Sequence, residues 1–165
     1  MMPIPPLALH LPDPAVRLRP VAYTDSDPLR RLCWPNRPFS GVYSIVQRAV
    51  QMANSGRGCG WVVVDADGTA VGFGQISLWP TCSEISDLMI AEPLRGQGIG
   101  TALIQRLVQE SLRLGMREIE IGAAFSNPRA LALYMRLGFE ESHTLFVSLE
   151  GGEPERVQYL RLSVP

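Results

Sequence analysis

Three glycines at alternating positions, Gly96, Gly98 and Gly100, stand where a strand pattern gives way to a helix pattern, and they constrain the fold more than any other feature. Residues 84–90 alternate as a β-strand does, whereas apolar residues in 99–114 recur at helical spacing. The first N–H groups of such a helix have no intrahelical partner and carry the positive end of its dipole. Because glycine also lets the backbone approach an anion closely, the sequence predicts a phosphate-binding corner.

The spacing of these glycines excludes the two common nucleotide-binding motifs. Leu103 stands where a dinucleotide fingerprint would place its third glycine, and no Gly-Lys-Ser/Thr follows for a P-loop. Taken alone, the turn is equally compatible with tight packing of a strand against a helix. The rest of the chain has to decide between these two interpretations.

Composition limits the partners of the chain. A length of 165 residues with 46% hydrophobic and 19% charged side chains predicts one domain with its own core. A net charge of -1 gives no broad basic surface, which disfavours nucleic acid. Cys33, Cys59 and Cys82 form no C-x-x-C pair, so we expect no metal site and a reduced, cytoplasmic chain. No apolar run approaches the roughly 20 residues of a membrane span, so no membrane partner is expected.

The element order predicts a mixed α+β domain over residues 15–165, preceded by a proline-rich tail over residues 1–14. Asp67-Gly68 predicts the turn of a hairpin, and Asn127-Pro128 and Gly138 predict the start and end of a short helix. The remaining elements follow from periodicity and caps. We expect strands over 16–19, 61–64, 70–78, 84–90, 119–123, 143–149 and 156–163, and helices after 24–28 and over 42–53, 99–114 and 128–137.

With these elements in place, the chain resembles the GNAT superfamily of acetyltransferases. The hallmark Arg/Gln-x-x-Gly-x-Gly/Ala is matched by Arg95, Gly98 and Gly100. The likeness covers roughly residues 16–164. It also includes Leu18-Arg19-Pro20, the stretch 87–93, Asn127, Ala130, Tyr134 and the stretch 137–139. The resemblance implies the GNAT fold, a central mixed, mostly antiparallel sheet of about seven strands flanked by helices.

The resemblance also implies a co-substrate, acetyl-CoA, and the residues that hold it. The pyrophosphate would lie on the glycine turn, the pantetheine arm along the fourth strand, and Asn127 would hydrogen-bond the cofactor chain. The expected cofactor-binding residues are Leu88, Met89, Ile90, Arg95, Gly96, Gln97, Gly98, Ile99, Gly100, Thr101, Asn127 and Tyr134. Arg136 is a further candidate for a phosphate, although simple solvation explains it as well.

Three positions are implied in the chemistry. Glu84 matches a position where some relatives carry the general base, with Asp87, Glu92 or a water chain as rivals. The backbone N–H of Leu88 is implied as the oxyanion donor, and Tyr134 as the general acid for the departing thiolate. The alternative interpretations are ordinary structural roles: Tyr134 as a core aromatic, Leu88 as a core leucine, and Glu84 as a solvated strand-end acid.

The function implied is transfer of an acetyl group to an amine of a small molecule or of a protein. A sensor of the same fold that binds acyl-CoA without turnover remains an alternative, as does another nucleotide-binding protein. The acceptor is not fixed by the sequence, because the segments 34–60 and 150–155 that would select it carry no clear motif. An acyl group larger than acetyl and a homodimer both stay open.

Overall fold

Seven strands and four α-helices make up the part of the chain that the computed structural model describes, residues 15–148 and 152–165. Short 3-10 turns occur at Tyr23–Asp25 and Glu92–Leu94. The strands are β1 (Arg17–Pro20), β2 (Gly58–Val64), β3 (Ala70–Leu78), β4 (Ser83–Ile90), β5 (Glu118–Ala124), β6 (Glu140–Ser148) and β7 (Pro154–Ser163). The helices are α1 (Ser26–Cys33), α2 (Phe39–Ser55), α3 (Ile99–Arg113) and α4 (Pro128–Arg136).

The predicted element order is confirmed along the described residues. Helix α2 begins at Phe39, three residues before the predicted start at Val42, and ends at Ser55, after which Gly56 caps it with a left-handed φ of 70°. Gly115, with φ 89°, follows α3 as a helix-terminating glycine should. The proline-rich tail and the loop residues 149–151 lie outside the described residues.

All seven strands join one sheet in the order β1-β2-β3-β4-β5-β7-β6. Neighbouring strands are antiparallel except β4 and β5, which are parallel. A parallel pair requires a crossover connection, and helix α3 provides it. The mixed, mostly antiparallel sheet predicted from the sequence is therefore confirmed.

The helices cover the sheet on opposite faces. A Cβ at Gly74 of β3 would come within 2.9 Å of Leu107, so Gly74 faces α3. A Cβ at Gly60 of β2 would come within 2.7 Å of Ala49, so Gly60 faces α2. Helix α4 shares the α3 face, because the glycine after it, Gly138, faces Leu162 of β7. We call these two sides the α3 face and the α2 face.

The sheet opens between its two parallel strands. Pairing between β4 and β5 covers only three positions and ends at Ile85 and Ile121, although both strands continue. Beyond that point β4 carries a bulge. Phe73 pairs with Met89 and Gln75 pairs with Ser86, so one residue of β3 lies opposite two residues of β4. The result is a gap through the sheet beside the second half of β4.

Within the described residues no helix is long and apolar enough to cross a membrane. The same part of the chain contains no group of three or more metal-ligating side chains, and Cys33, Cys59 and Cys82 are buried and unpaired.

Candidate functional site

The glycine turn exposes the N-terminal end of α3. Gly96 and Gly98 adopt left-handed φ angles of 77° and 81°, which side chains other than glycine rarely tolerate. A Cβ at Gly96 would meet nothing within 4 Å, so this surface is open. Helix α3 starts at Ile99 with no side-chain cap and no acidic residue in its first turn. The corner therefore presents unpaired N–H groups and the positive helix end to whatever enters the space above it.

Gly100 needs a different explanation from the other two glycines. It lies inside the first turn of α3 without a left-handed φ, and a Cβ there would sit 3.9 Å from Ile90, an ordinary contact. Neither backbone conformation nor protein packing requires glycine at this position. Close approach of a ligand to the helix end is a physical reason that remains, and it agrees with the predicted phosphate corner.

A cleft of about 700 Å³ lies against this corner. One wall is the second half of β4, one is the start of α3, and the third is α4. Of the residues predicted to bind the cofactor, those lining the cleft are Leu88, Met89, Ile90, Arg95, Gly96, Gly100, Thr101, Asn127 and Tyr134. The gap between β4 and β5 therefore brings together residues that are up to 48 positions apart in the sequence, from Leu88 to Arg136.

Three residues predicted to bind the cofactor do not line the cleft. Ile99 is buried in the core, Gly98 contributes its backbone to the turn, and Gln97 donates to the Pro93 carbonyl at 3.4 Å. Arg95 does line the cleft, but its guanidinium turns back along β4. Its Nε donates to the carbonyl of Ile90 at 2.9 Å, so in this structure Arg95 fastens the turn to the strand.

Helix α4 places two predicted residues at the cleft. The Asn127 side chain accepts a hydrogen bond from the Ala130 N–H at 3.2 Å, which confirms its role as N-cap. Tyr134, two turns further on, is 7% exposed and packs beside Phe139. Burial raises the pKa of the Tyr134 hydroxyl to about 12, so this group stays protonated at neutral pH.

Sequence reasoning missed Arg129, which lines the cleft together with Arg136. The two arginines are seven residues apart on α4 and so lie on one face of the helix, with Leu133 between them. That spacing was a usable signal in the sequence. Both guanidinium groups suit phosphate oxygens by charge and by geometry.

Glu84 lies on the other side of the sheet. It pairs with Ser77 on β3 and with Glu120 on β5, and residues that face each other across paired strands share a face. Ser77 is two residues after Gln75, which pairs with Gly60 and therefore lies on the α2 face. Glu84 thus lies on the α2 face, opposite the helices that form the cleft.

Several charges surround Glu84. Burial raises the pKa of its carboxyl above the ordinary value, and the neighbouring carboxylates of Glu120 and Asp87 raise it further. A hydrogen bond with Trp79 and the charge of Arg48 oppose that rise. A carboxyl whose pKa is raised in this way is a stronger proton acceptor than an ordinary glutamate once it is ionised.

Asp87 occupies the bulge of β4 and adopts a φ of 53°, which is uncommon for a residue with a side chain. Its carboxylate accepts a hydrogen bond from the Gln75 side-chain amide at 2.5 Å, so the Asp87 side chain lies on the α2 face. The next residue, Leu88, contacts the position of Gly74 and so lies on the α3 face. Glu92, another rival for the base, is exposed in the turn after β4.

The sequence matches a family model. The model described as the Acetyltransferase (GNAT) family covers residues 27–139, more than half of the chain. An uncharacterized N-acetyltransferase of Methanocaldococcus jannaschii is 32% identical over 93 residues. That match covers 52% of this chain and 41% of the relative, so the likeness extends over less than half of the relative's length.

Solved structures share the fold. A mutant form of spermidine N-acetyltransferase SpeG from Vibrio cholerae superposes with a TM-score of 0.73 at 21% identity, covering 92% of this chain and 95% of that one. RimL, a ribosomal L7/L12 alpha-N-protein acetyltransferase in complex with coenzyme A, superposes with a TM-score of 0.77 at 16% identity, covering 93% and 97%. At these identities the likeness establishes the fold, and it confirms the architecture expected from the sequence.

Proposed function

The chain belongs to the GNAT family of acetyltransferases, and we propose that it transfers the acetyl group of acetyl-CoA directly to an amine while both substrates are bound. The observation that carries this proposal is the uncapped N-terminal end of α3, which opens through Gly96 and Gly100 onto a cleft of about 700 Å³. When bound, acetyl-CoA supplies the acetyl group as a thioester. The other steps depend on groups of this chain.

The cleft fits the two chemical parts of coenzyme A. The N–H groups of the glycine turn and the arginines Arg129 and Arg136 would hold the phosphates. The second half of β4 has an edge that β5 leaves unpaired, and this edge would hydrogen-bond the amide groups of the pantetheine arm as an added strand. In this arrangement the backbone N–H of Leu88 would stabilise negative charge on the acetyl oxygen.

The acceptor amine has to lose protons. A primary amine with a pKa of about 10.4 is almost fully protonated at pH 7, which is a deficit of roughly 4.6 kcal/mol for the neutral form. Glu84 is the group we propose as proton acceptor, because burial raises its pKa and because it lies on β4 four residues before Leu88. An ordered water between Glu84 and the amine would serve the same purpose.

The departing thiolate needs a proton. Tyr134 lines the cleft, is protonated at neutral pH because burial raises its pKa to about 12, and is the group we propose as proton donor. Its position on α4 puts it on the α3 face, whereas Glu84 lies on the α2 face. The proton acceptor and the proton donor would therefore work from opposite sides of the sheet, with the reacting bond at the gap between them.

The fold does not determine the acceptor of this chain, because one neighbour is named for spermidine and the other for a protein N-terminus, and both share this fold. We therefore propose an amine of a small molecule or of a peptide and test for it directly. Purified protein with acetyl-CoA is incubated with a metabolite extract and with a peptide library, and products that gain an acetyl group are identified by mass spectrometry.

Binding and turnover are measured separately. Calorimetry with coenzyme A should show saturable binding, and release of free thiol from acetyl-CoA should accelerate with at least one amine of the panel. Absence of heat at high micromolar coenzyme A would contradict the proposal. Tight binding without acetylation of any acceptor would instead identify a sensor of acyl-CoA.

A further inference from the structure

A second cavity, of about 480 Å³, lies at the edge of the sheet and shares no lining residue with the cleft proposed for coenzyme A. Strand β1 pairs with β2 only from Trp61 onward, so the first residues of β2, Gly58 to Gly60, extend beyond the end of β1. The C-terminal parts of α2 and α3, on opposite faces of the sheet, form walls around this edge. The cavity has the usual size of a small-molecule site.

Much of the cavity wall is apolar. Val21 lines it from the end of β1, and Trp61 lines it from β2. Helix α2 contributes Ala49, Val50 and Ala53, of which the two alanines are one helical turn apart and share a side of the helix. Because burying an aliphatic group against such a wall is favourable, we expect a ligand with an aliphatic body.

A pair of opposite charges on α3 completes the wall. Arg113 Nε donates to Oε2 of Glu110 at 2.7 Å. Glu110 is only 9% exposed, yet its other oxygen, Oε1, accepts no hydrogen bond from the described residues. The Arg113 guanidinium donates to Glu110 through Nε alone, so its remaining N–H groups are available. The pair therefore offers a ligand one buried acceptor and several donors.

The edge of β2 adds a main-chain donor. Gly60 is buried, and its carbonyl accepts from the Val21 N–H at 3.0 Å, so the Gly60 N–H points to the same side of the strand. An antiparallel pair would return this bond through the Val21 carbonyl, but no such bond forms within the described part of the chain. Buried N–H groups without a partner are rare, which indicates that a bound molecule accepts from this one.

We propose that this cavity is a binding site for an aliphatic α-amino acid in its zwitterionic form. The ammonium group donates to Oε1 of Glu110, and the carboxylate accepts from Arg113 and from the Gly60 N–H. The aliphatic side chain packs against α2. This inference goes beyond the proposed function, because it assigns a second site and holds whether or not the chain acetylates an amine.

The charges of the wall separate the ligand classes. A carboxylate without an ammonium group would lie beside the like charge of Glu110, and an amine without a carboxylate would lie beside that of Arg113. A zwitterion meets an opposite charge at each end. The strongest rival is a simple carboxylate, because the Arg106 guanidinium lies 4.7 Å from the Trp61 ring centroid and adds a positive charge near the cavity.

The test compares leucine with two analogues that each lack one charge. Isocaproate is leucine without the ammonium group, and isopentylamine is leucine without the carboxylate. In calorimetry, leucine should bind about tenfold or more tightly than either analogue, because each analogue loses a hydrogen bond between charged groups. In a ¹⁵N spectrum, leucine should shift the Gly60 amide signal, equally in the free protein and in protein saturated with coenzyme A.

Two charge-matched variants sharpen the result. Glu110→Gln keeps the shape of the wall, and it should weaken leucine binding by about tenfold or more and strengthen isocaproate binding, because the like charge is gone. Glu141→Gln removes the same charge from an exposed position on β6, at the opposite edge of the sheet, and should change neither affinity. Unaltered amide signals away from the substitution show that each variant is folded.

Four outcomes overturn the inference. They are no saturable heat with millimolar leucine, leucine binding without a shift of the Gly60 amide, isocaproate binding as tight as leucine binding, and equal effects of Glu110→Gln and Glu141→Gln. Calorimetry with coenzyme A on the same samples tests the proposed function separately. A protein that binds coenzyme A and gives any of these four outcomes rejects the second site and leaves the proposed function standing.

Discussion

The two sides of the gap in the sheet are built from different chemical groups. On the α3 face, the cleft presents main-chain groups at the glycine turn, the start of α3 and the free edge of β4, together with the side chains of α4. On the α2 face, the polar groups of β3 and β4 are side chains: Glu84, the proposed proton acceptor, and Asp87, which accepts a hydrogen bond from Gln75. A main-chain site fixes a ligand that does not vary, whereas a side-chain site can be altered one residue at a time.

This difference explains what the family likeness reveals and what it leaves open. Glycine spacing marks the proposed cofactor side in the sequence, because few residues other than glycine permit that backbone. The α2 face, where the proposed proton acceptor Glu84 lies, has no comparable mark, since its side chains come from β3 and β4 and meet only after the sheet has formed. The predictions below test whether main-chain groups hold coenzyme A while side chains act on the acceptor.

The largest effect is expected at Tyr134, the proposed proton donor on the α3 face. Tyr134→Phe removes the hydroxyl but keeps the ring in its packed position beside Phe139. We expect kcat to fall by about 10²- to 10⁴-fold, the usual contribution of a general acid. Coenzyme A affinity measured by calorimetry should remain within about twofold, and an unchanged kcat would remove Tyr134 from the mechanism.

Glu84→Gln should lower kcat/KM by about 10²-fold, again the range for a general base. The pH profile gives a second reading. Burial raises the pKa of Glu84, so the ionised form that accepts a proton is lost as pH falls through that raised value, and the wild-type rate should decline at a higher pH than an ordinary glutamate would cause. Glu84→Gln should abolish this acid limb. A limb that persists in the variant assigns the base to another group.

Gly100→Ala tests the main-chain side without a folding penalty. Alanine favours a helix interior over glycine by roughly 1 kcal/mol, and the new Cβ has room beside Ile90. We expect a higher midpoint of thermal unfolding together with about tenfold weaker coenzyme A binding, because the methyl group enters the cleft. Stability and affinity that rise together would show that no ligand approaches this helix end.

Gly96→Ala and Gly68→Ala form a matched pair for the same question. Both glycines have left-handed φ angles, 77° and 80°, and both have open space where a Cβ would go. The two variants should therefore lose similar stability, on the order of 1 kcal/mol. Only Gly96→Ala should weaken coenzyme A binding, because Gly68 lies in the distant β2–β3 turn.

The smallest effect is expected at Leu88. Its proposed contribution is the backbone N–H, so Leu88→Met, which keeps the backbone and nearly the same volume, should change kcat/KM by less than about threefold. Thiol release from acetyl-CoA is the measurement. A loss of tenfold or more would mean that the leucine side chain itself shapes the site.

The elements whose signals are local were predictable from the sequence. The Asp67-Gly68 hairpin, the Asn127 cap and helix α3 with Gly115 after it depend on neighbours within a few residues, and all are confirmed. The lining of the cleft by Leu88, Asn127 and Tyr134 also followed, through the family likeness.

Features that depend on the register between strands were not predictable. The bulge at Asp87 appears only when β4 is aligned with β3, and the hydrogen bond from Gln75 links residues 12 positions apart on two strands. Arg95 was expected to meet phosphate, yet its Nε donates to Ile90, because the turn brings the guanidinium back to the end of β4. Roles of Glu84 and Tyr134 stay predictions until the variants are measured.

Asp87 is one residue more than the pairing of β3 with β4 requires, and its consequence concerns the order in which ligands can arrive. A β4 strand without Asp87 would be straighter and better able to pair with β5 over more of its length, which would close the gap in the sheet. With the gap held open, the thioester would enter from one face of the sheet and the acceptor nitrogen from the other. Neither the thioester nor the acceptor would have to dissociate before the other could bind.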